Sequence, residues 1–208
     1  MPSIPVCMAP DPNTRTPKYK PPPGACDAHC HIFGPGDKYP YAPDRSYTPP
    51  DAPLEKFQAL QKTLGLSRAV LVNASCHGVD NTVILDAIEQ SGGRYRGVAN
   101  VDESFSDRDF ADLHAGGIRG IRFNFVQHLG GTPDLDEFQR LVARAAEFDW
   151  HVVLHFDAAD LLCGGREWCC LDSLSCTSQP IIKTVFRVCR HGSTPRESVQ
   201  DRFASYCG

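Results

Sequence analysis

From Ala25 to Phe156 the chain alternates short apolar runs with segments of helical spacing, and this alternation limits the fold more than any other feature. The strand-like runs are the Ala25 to Gly34 stretch, Arg68 to Asn73, Tyr95 to Asn100, Ile118 to Phe125 and His151 to Phe156. Between them, Leu54 to Leu64, Val79 to Ser91, Asp107 to Ala115 and Asp134 to Asp149 repeat their apolar residues near the helical period. The run Ala69-Val70-Leu71-Val72 is continuous rather than alternating, as in a strand covered on both faces. Strict alternation of this kind implies a parallel sheet with right-handed helical crossovers.

Each strand run ends on polar or ionisable residues. They are His29 and His31, then Asn73, Ser75 and His77, then Asn100 and Asp102, then Arg122 and Asn124, and finally His155 and Asp157. A (β/α) barrel builds its site from all of its strand ends, whereas a doubly wound open sheet uses one switch point. The pattern favours the barrel, with the open sheet as the competing architecture.

His29 and His31 stand two apart, so on a strand they project to one face. Imidazoles brought together in this way suit holding a metal, a water or a substrate carbonyl. A solvent-facing strand with two polar residues is the plainer reading of the pair alone. For the other positions the plain readings are a surface ion pair for Arg122, a packed core imidazole for His155, and outlying or solvent-facing positions for His77 and His128.

Composition narrows the function classes. With 41% hydrophobic and 22% charged residues the 208-residue chain is ordinary for a globular protein, and a net charge of -4 gives no electrostatic reason to expect nucleic acid or an anionic membrane. A small molecule is the expected partner. No apolar run approaches the ~20 residues that span a bilayer, and the proline-rich Met1 to Gly24 segment lacks the apolar stretch of a secretory signal, which together point to the cytosol. That segment reads as a flexible leader, 25 to 162 as the barrel region, and 163 to 208 as a tail holding Cys163, Cys169, Cys170, Cys176, Cys189 and Cys207. The tail has no pair of Cys-x2-Cys units, so its zinc signal is weak and free thiols are expected.

The stretches Asp27-Ala28-His29-Cys30-His31-Ile32-Phe33-Gly34-Pro35, Tyr47-Thr48-Pro49, Ala74-Ser75-Cys76-His77-Gly78-Val79-Asp80-Asn81, Arg119-Gly120-Ile121-Arg122-Phe123-Asn124-Phe125 and Trp150-His151-Val152-Val153 occur in order. With them the chain resembles the amidohydrolase superfamily, in its amidohydrolase-related, lactonase-like branch, over about residues 24 to 162. The resemblance implies about five of the eight units of a TIM barrel and hydrolysis of a small carboxylate-bearing lactone or amide by an activated water. It assigns catalysis to His29 and His31 and substrate binding to Arg122, Tyr47, Ser75, His128 and His155. Arg122 matches an arginine that grips a substrate carboxylate.

Many relatives hold zinc or manganese on the first-strand pair, here with His155 as a further ligand, while the lactonase-like branch works without a tightly held metal. His128 and His155 replace an arginine and a tyrosine of the lactonase pattern, which argues against a pyrone dicarboxylate substrate. The sixth-strand histidine and eighth-strand aspartate motifs of the family do not appear. The expectation is therefore a truncated, impaired hydrolase whose tail reflects a changed reading frame or alternative exon and whose open barrel edges favour self-association. The alternative is an inactive partial barrel serving as a binding module, or a product without function.

Overall fold

The computed structural model describes residues 4 to 126, 133 to 157 and 187 to 189. In chain order the elements are β1 (Cys26–Cys30), α1 (Leu54–Leu64), β2 (Arg68–Val72), α2 (Thr82–Gln90), β3 (Tyr95–Ala99), α3 (Asp107–Ala115), β4 (Ile118–Asn124), α4 (Leu135–Glu147), β5 (His151–Asp157) and β6 (Arg187–Cys189). The strands form one sheet in the order β1-β2-β3-β4-β5-β6, with every neighbouring pair parallel. Sequential order without a reversal is that of a barrel wall, so the doubly wound alternative is set aside. The structure is a half-barrel of the α/β class, and β6 adds three residues beside β5 to the five strands expected from the sequence.

Local chemistry sets the helix ends. At α3, the Ser106 side chain accepts the Asp109 N–H at 3.3 Å while Asp109 accepts the Ser106 N–H at 2.7 Å, a reciprocal cap. At α4 the Asp134 carboxylate accepts from the Glu137 N–H at 2.8 Å. Helix α1 stops where Gly65 takes a left-handed backbone, φ 74°. Helix α2 begins at Thr82, three residues later than its apolar spacing implies. Ser75–His77 forms a single 3-10 turn, and the Asp80 carboxylate accepts the Thr82 N–H at 2.9 Å.

Alternation along the strands divides the core in two. Ala69, Leu71, Ala99, Ile121, Phe123, Val152 and Leu154 pack outward against the helices, together with Phe110, Phe138 and Trp150. Val72, Val98 and Val153, with Val70 against them, form a smaller cluster on the other face, which is the barrel interior. Cys30 and Ile32 belong to the outer layer, so His29 and His31 take the interior parity. By the same parity Gly120, Arg122 and Asn124 face inward beside His151, Val153 and His155. Gly120 is required there, because a Cβ would lie 2.7 Å from the His151 carbonyl oxygen.

Candidate active site

Strand β1 ends at Cys30, so His31 lies one residue past it, and the pairing with β2 slips between Asp27 and Cys30. The two imidazoles still converge, with ring centroids 5.2 Å apart and planes nearly perpendicular. Asp27 accepts the His29 backbone N–H at 3.1 Å. His31 Nδ1 lies 2.7 Å from the Val72 carbonyl oxygen at the end of β2. A carbonyl oxygen only accepts, so His31 Nδ1 carries a proton, and in the neutral ring the lone pair is on Nε2.

The loop after β1 returns to the sheet through a two-way backbone bridge, Phe33 N–H to Ala52 O at 3.1 Å and Ala52 N–H to Phe33 O at 2.8 Å. Arg45 braces its middle by donating to Thr48 Oγ1 and to the Ala42 carbonyl, both at 2.9 Å. Thr48 also bonds to the amino-terminal segment: its N–H donates to Pro5 O at 2.8 Å, and it accepts from the Cys7 N–H at 3.0 Å. Tyr47 is thereby presented beside the β2 end, where the Ser75 hydroxyl donates to its oxygen at 3.4 Å. Burial raises the Tyr47 pKa, and the Ser75 contact and the positive charge of Arg122 oppose that rise. The phenol stays protonated at neutral pH, a hydrogen-bond donor within the electrostatic reach of Arg122.

Across the half-barrel, Arg122 Nη2 on β4 lies 2.8 Å from His155 Nδ1 on β5, and the Asn124 amide oxygen is placed 3.1 Å from the same nitrogen. Of the expected site residues, His29, His31, Tyr47, Ser75, Arg122 and His155 all sit at the carboxyl ends of the strands or in the loops that follow. His128 lies outside the described residues. His77 packs at 4.9 Å against Tyr41 and is 3% exposed, with its pKa lowered by burial, so it belongs to the packing of the loop.

Some supporting residues are absent from the sequence-based set. Asn124 joins the Arg122 and His155 contact, and its signal was its place at a strand end. Cys76 is fully buried near Tyr47, its thiol pushed up to about 11 by burial. Asn81 braces the ends of β2 and β3: its amide oxygen accepts from Asn73 Nδ2 and the Asn100 N–H, each at 3.0 Å, and its NH2 donates to Asn100 O at 2.8 Å. Only the paired asparagines at the ends of β2 and β3 hinted at this in the sequence.

A family model described as amidohydrolase matches residues 26 to 166. The chain belongs to the amidohydrolase family. It is 49% identical over 149 residues to a 2-pyrone-4,6-dicarboxylate hydrolase of Comamonas testosteroni, covering 72% of this chain and 49% of that protein. It is 40% identical over 163 residues to a 4-sulfomuconolactone hydrolase of Rhizobium radiobacter, covering 77% of this chain and 54% of that one. A crystal structure of a probable 2-pyrone-4,6-dicarboxylic acid hydrolase from Acinetobacter baumannii, with citric acid bound, superposes with a TM-score of 0.63 at 25% identity. The match covers 77% of this chain and 57% of that one. This amidohydrolase chain thus spans about half the length of the curated relatives it matches.

Many amidohydrolases use a divalent metal, which takes at least three protein donors at a catalytic zinc. Here His29 and His31 converge, while His155 presents its Nδ1 atom to the Arg122 guanidinium. Among the described residues no three His, Cys, Asp or Glu side chains are grouped to hold a metal ion. The described donor set does not fit such a centre. Among the described residues no helix is long and apolar enough to cross a membrane.

Proposed function

We propose that this amidohydrolase chain binds a small carboxylate-bearing lactone at the carboxyl ends of β1 to β5 and orients it for attack by water. The observation that carries the reading is the placing of two converging imidazoles, His29 and His31, and one guanidinium, Arg122, on the interior parity of the same half-barrel. The relatives support it, because two of them are named as hydrolases of lactone-type substrates that carry acidic groups.

Arg122 supplies charge and a planar fork of donors for the substrate carboxylate. Tyr47, a neutral phenol, adds a hydrogen bond near that charge. The neutral form of His31 accepts at Nε2, so it orients a water or takes its proton; protonated, the same nitrogen donates to the lactone carbonyl. The described groups hold and orient.

The test is an assay of the purified chain on a panel of carboxylate-bearing lactones and amides, with and without Zn2+ or Mn2+, beside an Arg122→Met variant. Hydrolysis lost in the variant supports the reading. Carboxylate binding that depends on Arg122 without turnover favours the alternative of a binding module. A chain whose carboxylate affinity is indifferent to Arg122→Met refutes the assignment of the site.

A further inference from the structure

We propose that His155 is a positioning residue, a neutral imidazole whose Nδ1 lone pair receives the Arg122 guanidinium and fixes the plane in which Arg122 meets a carboxylate. Strands β4 and β5 are in unbroken register, with Arg122 opposite Val153 and Asn124 opposite His155, so the two side chains rise from the same face one step apart. Their nitrogens are 2.8 Å apart. A guanidinium has donors only, so at this distance the imidazole nitrogen accepts.

That assignment fixes the proton of the neutral ring on Nε2. It also settles Asn124, whose amide oxygen stands 3.1 Å from Nδ1. An acceptor facing an acceptor is relieved by a half-turn of the amide, which turns its NH2 toward the imidazole. Arg122 and Asn124 then both direct donors at one lone pair. The main chain locks the arrangement, because the Phe125 N–H donates to the His155 carbonyl at 2.7 Å.

The choice of partner has a chemical consequence. An acid in this position would offset the guanidinium charge, whereas a neutral imidazole orients the guanidinium without adding a negative charge of its own. A tyrosine at this position would carry its own donor and a less basic oxygen. His155 thus tunes the grip of this chain toward a single, oriented carboxylate. The inference rests on the proposed carboxylate site for its substrate but not for its geometry.

Two measurements on the full chain separate the two. The first is the nitrogen spectrum of 15N-histidine-labelled protein, with His155 assigned by its absence in His155→Gln. Nδ1 is expected to be of the unprotonated, pyridine type at neutral pH and to shift in Arg122→Met. A protonated Nδ1, or one unmoved by Arg122→Met, overturns the inference whatever the protein binds. The second is calorimetric binding of citrate. His155→Phe, which removes the acceptor, is expected to weaken binding on the order of tenfold, and His155→Gln, which keeps one, by less than about threefold. Equal losses in both variants, or none in His155→Phe, overturn the inference. A parent that binds no citrate while the Nδ1 signature stands refutes the proposed substrate class and leaves the positioning contact established. Circular dichroism and thermal melting of each variant exclude misfolding as the cause.

Discussion

Strands β4 and β5 run together from Gly120 opposite His151 to Asn124 opposite His155 without a slip, whereas β1 and β2 lose register between Asp27 and Cys30. At the first pair the sheet itself fixes which side chains face the barrel interior, and Arg122 and His155 need nothing else to meet. At the second pair the strand ends before His31, which is placed by its bond to the Val72 carbonyl and by the Phe33 and Ala52 bridge behind it. One side of the site is held by a ladder, the other by a loop. Damage to the sheet should therefore be felt as lost stability, and damage to the loop as lost chemistry.

The largest effect is expected at Trp150, which is 1% exposed, stacks on Phe110 at 5.4 Å and donates to His114 Nδ1 at 3.0 Å just before β5. Trp150→Ala should cost about 3 to 5 kcal/mol in urea unfolding. A loss under 1 kcal/mol would show that the β4 and β5 pair is not the rigid side. Next, on the loop side, His31→Ala should lower any lactone turnover on the order of 100-fold while leaving the unfolding midpoint nearly unchanged. A large drop in stability with turnover intact would reverse the contrast.

Gly120→Ala comes third. The added Cβ meets the His151 main chain and ring, so a destabilisation of about 1 to 3 kcal/mol should appear in the same unfolding series. The smallest effect concerns pH. Burial depresses the His77 pKa below its usual 6.5, so the unfolded chain binds a proton that the folded chain resists. Stability from this source is complete above pH 6.5 and falls as pH drops through 6.5 toward the folded value. His77→Phe should flatten that part of the stability profile, and an unchanged slope would assign the acid sensitivity to another group.

The fold was largely legible because apolar periodicity records which face each element buries. Val70 and Val72 face the barrel interior and Ala69 and Leu71 the helices, and a continuous apolar run can say only that both faces are covered. The shift of α2 to Thr82 was not legible, because Val79 has an apolar side chain yet stands 41% exposed in a loop stapled by Asn81 and Asp80. For the site, the pattern of polar strand ends located the right end of the sheet. It did not distinguish roles. His29, His31, His77 and His155 share a residue type, and separating them took the Val72 carbonyl, the Tyr41 ring and the Arg122 guanidinium. Such contacts arise from residues distant in sequence and leave no local trace. The β6 segment falls in the stretch read from the sequence only as a tail, and it lies beside β5 in the structure.

The bond between Thr48 and the Pro5 to Cys7 segment gives the chain a built-in reporter. Cys7 is an exposed free thiol, while burial holds the Cys30 and Cys76 thiols protonated and unreactive. In a background where the other cysteines are replaced, a fluorophore on Cys7 would ride on the residue paired to Thr48, next to Tyr47. Its emission would then register ligand capture directly, so that binding could be followed in real time even by a chain that turns nothing over.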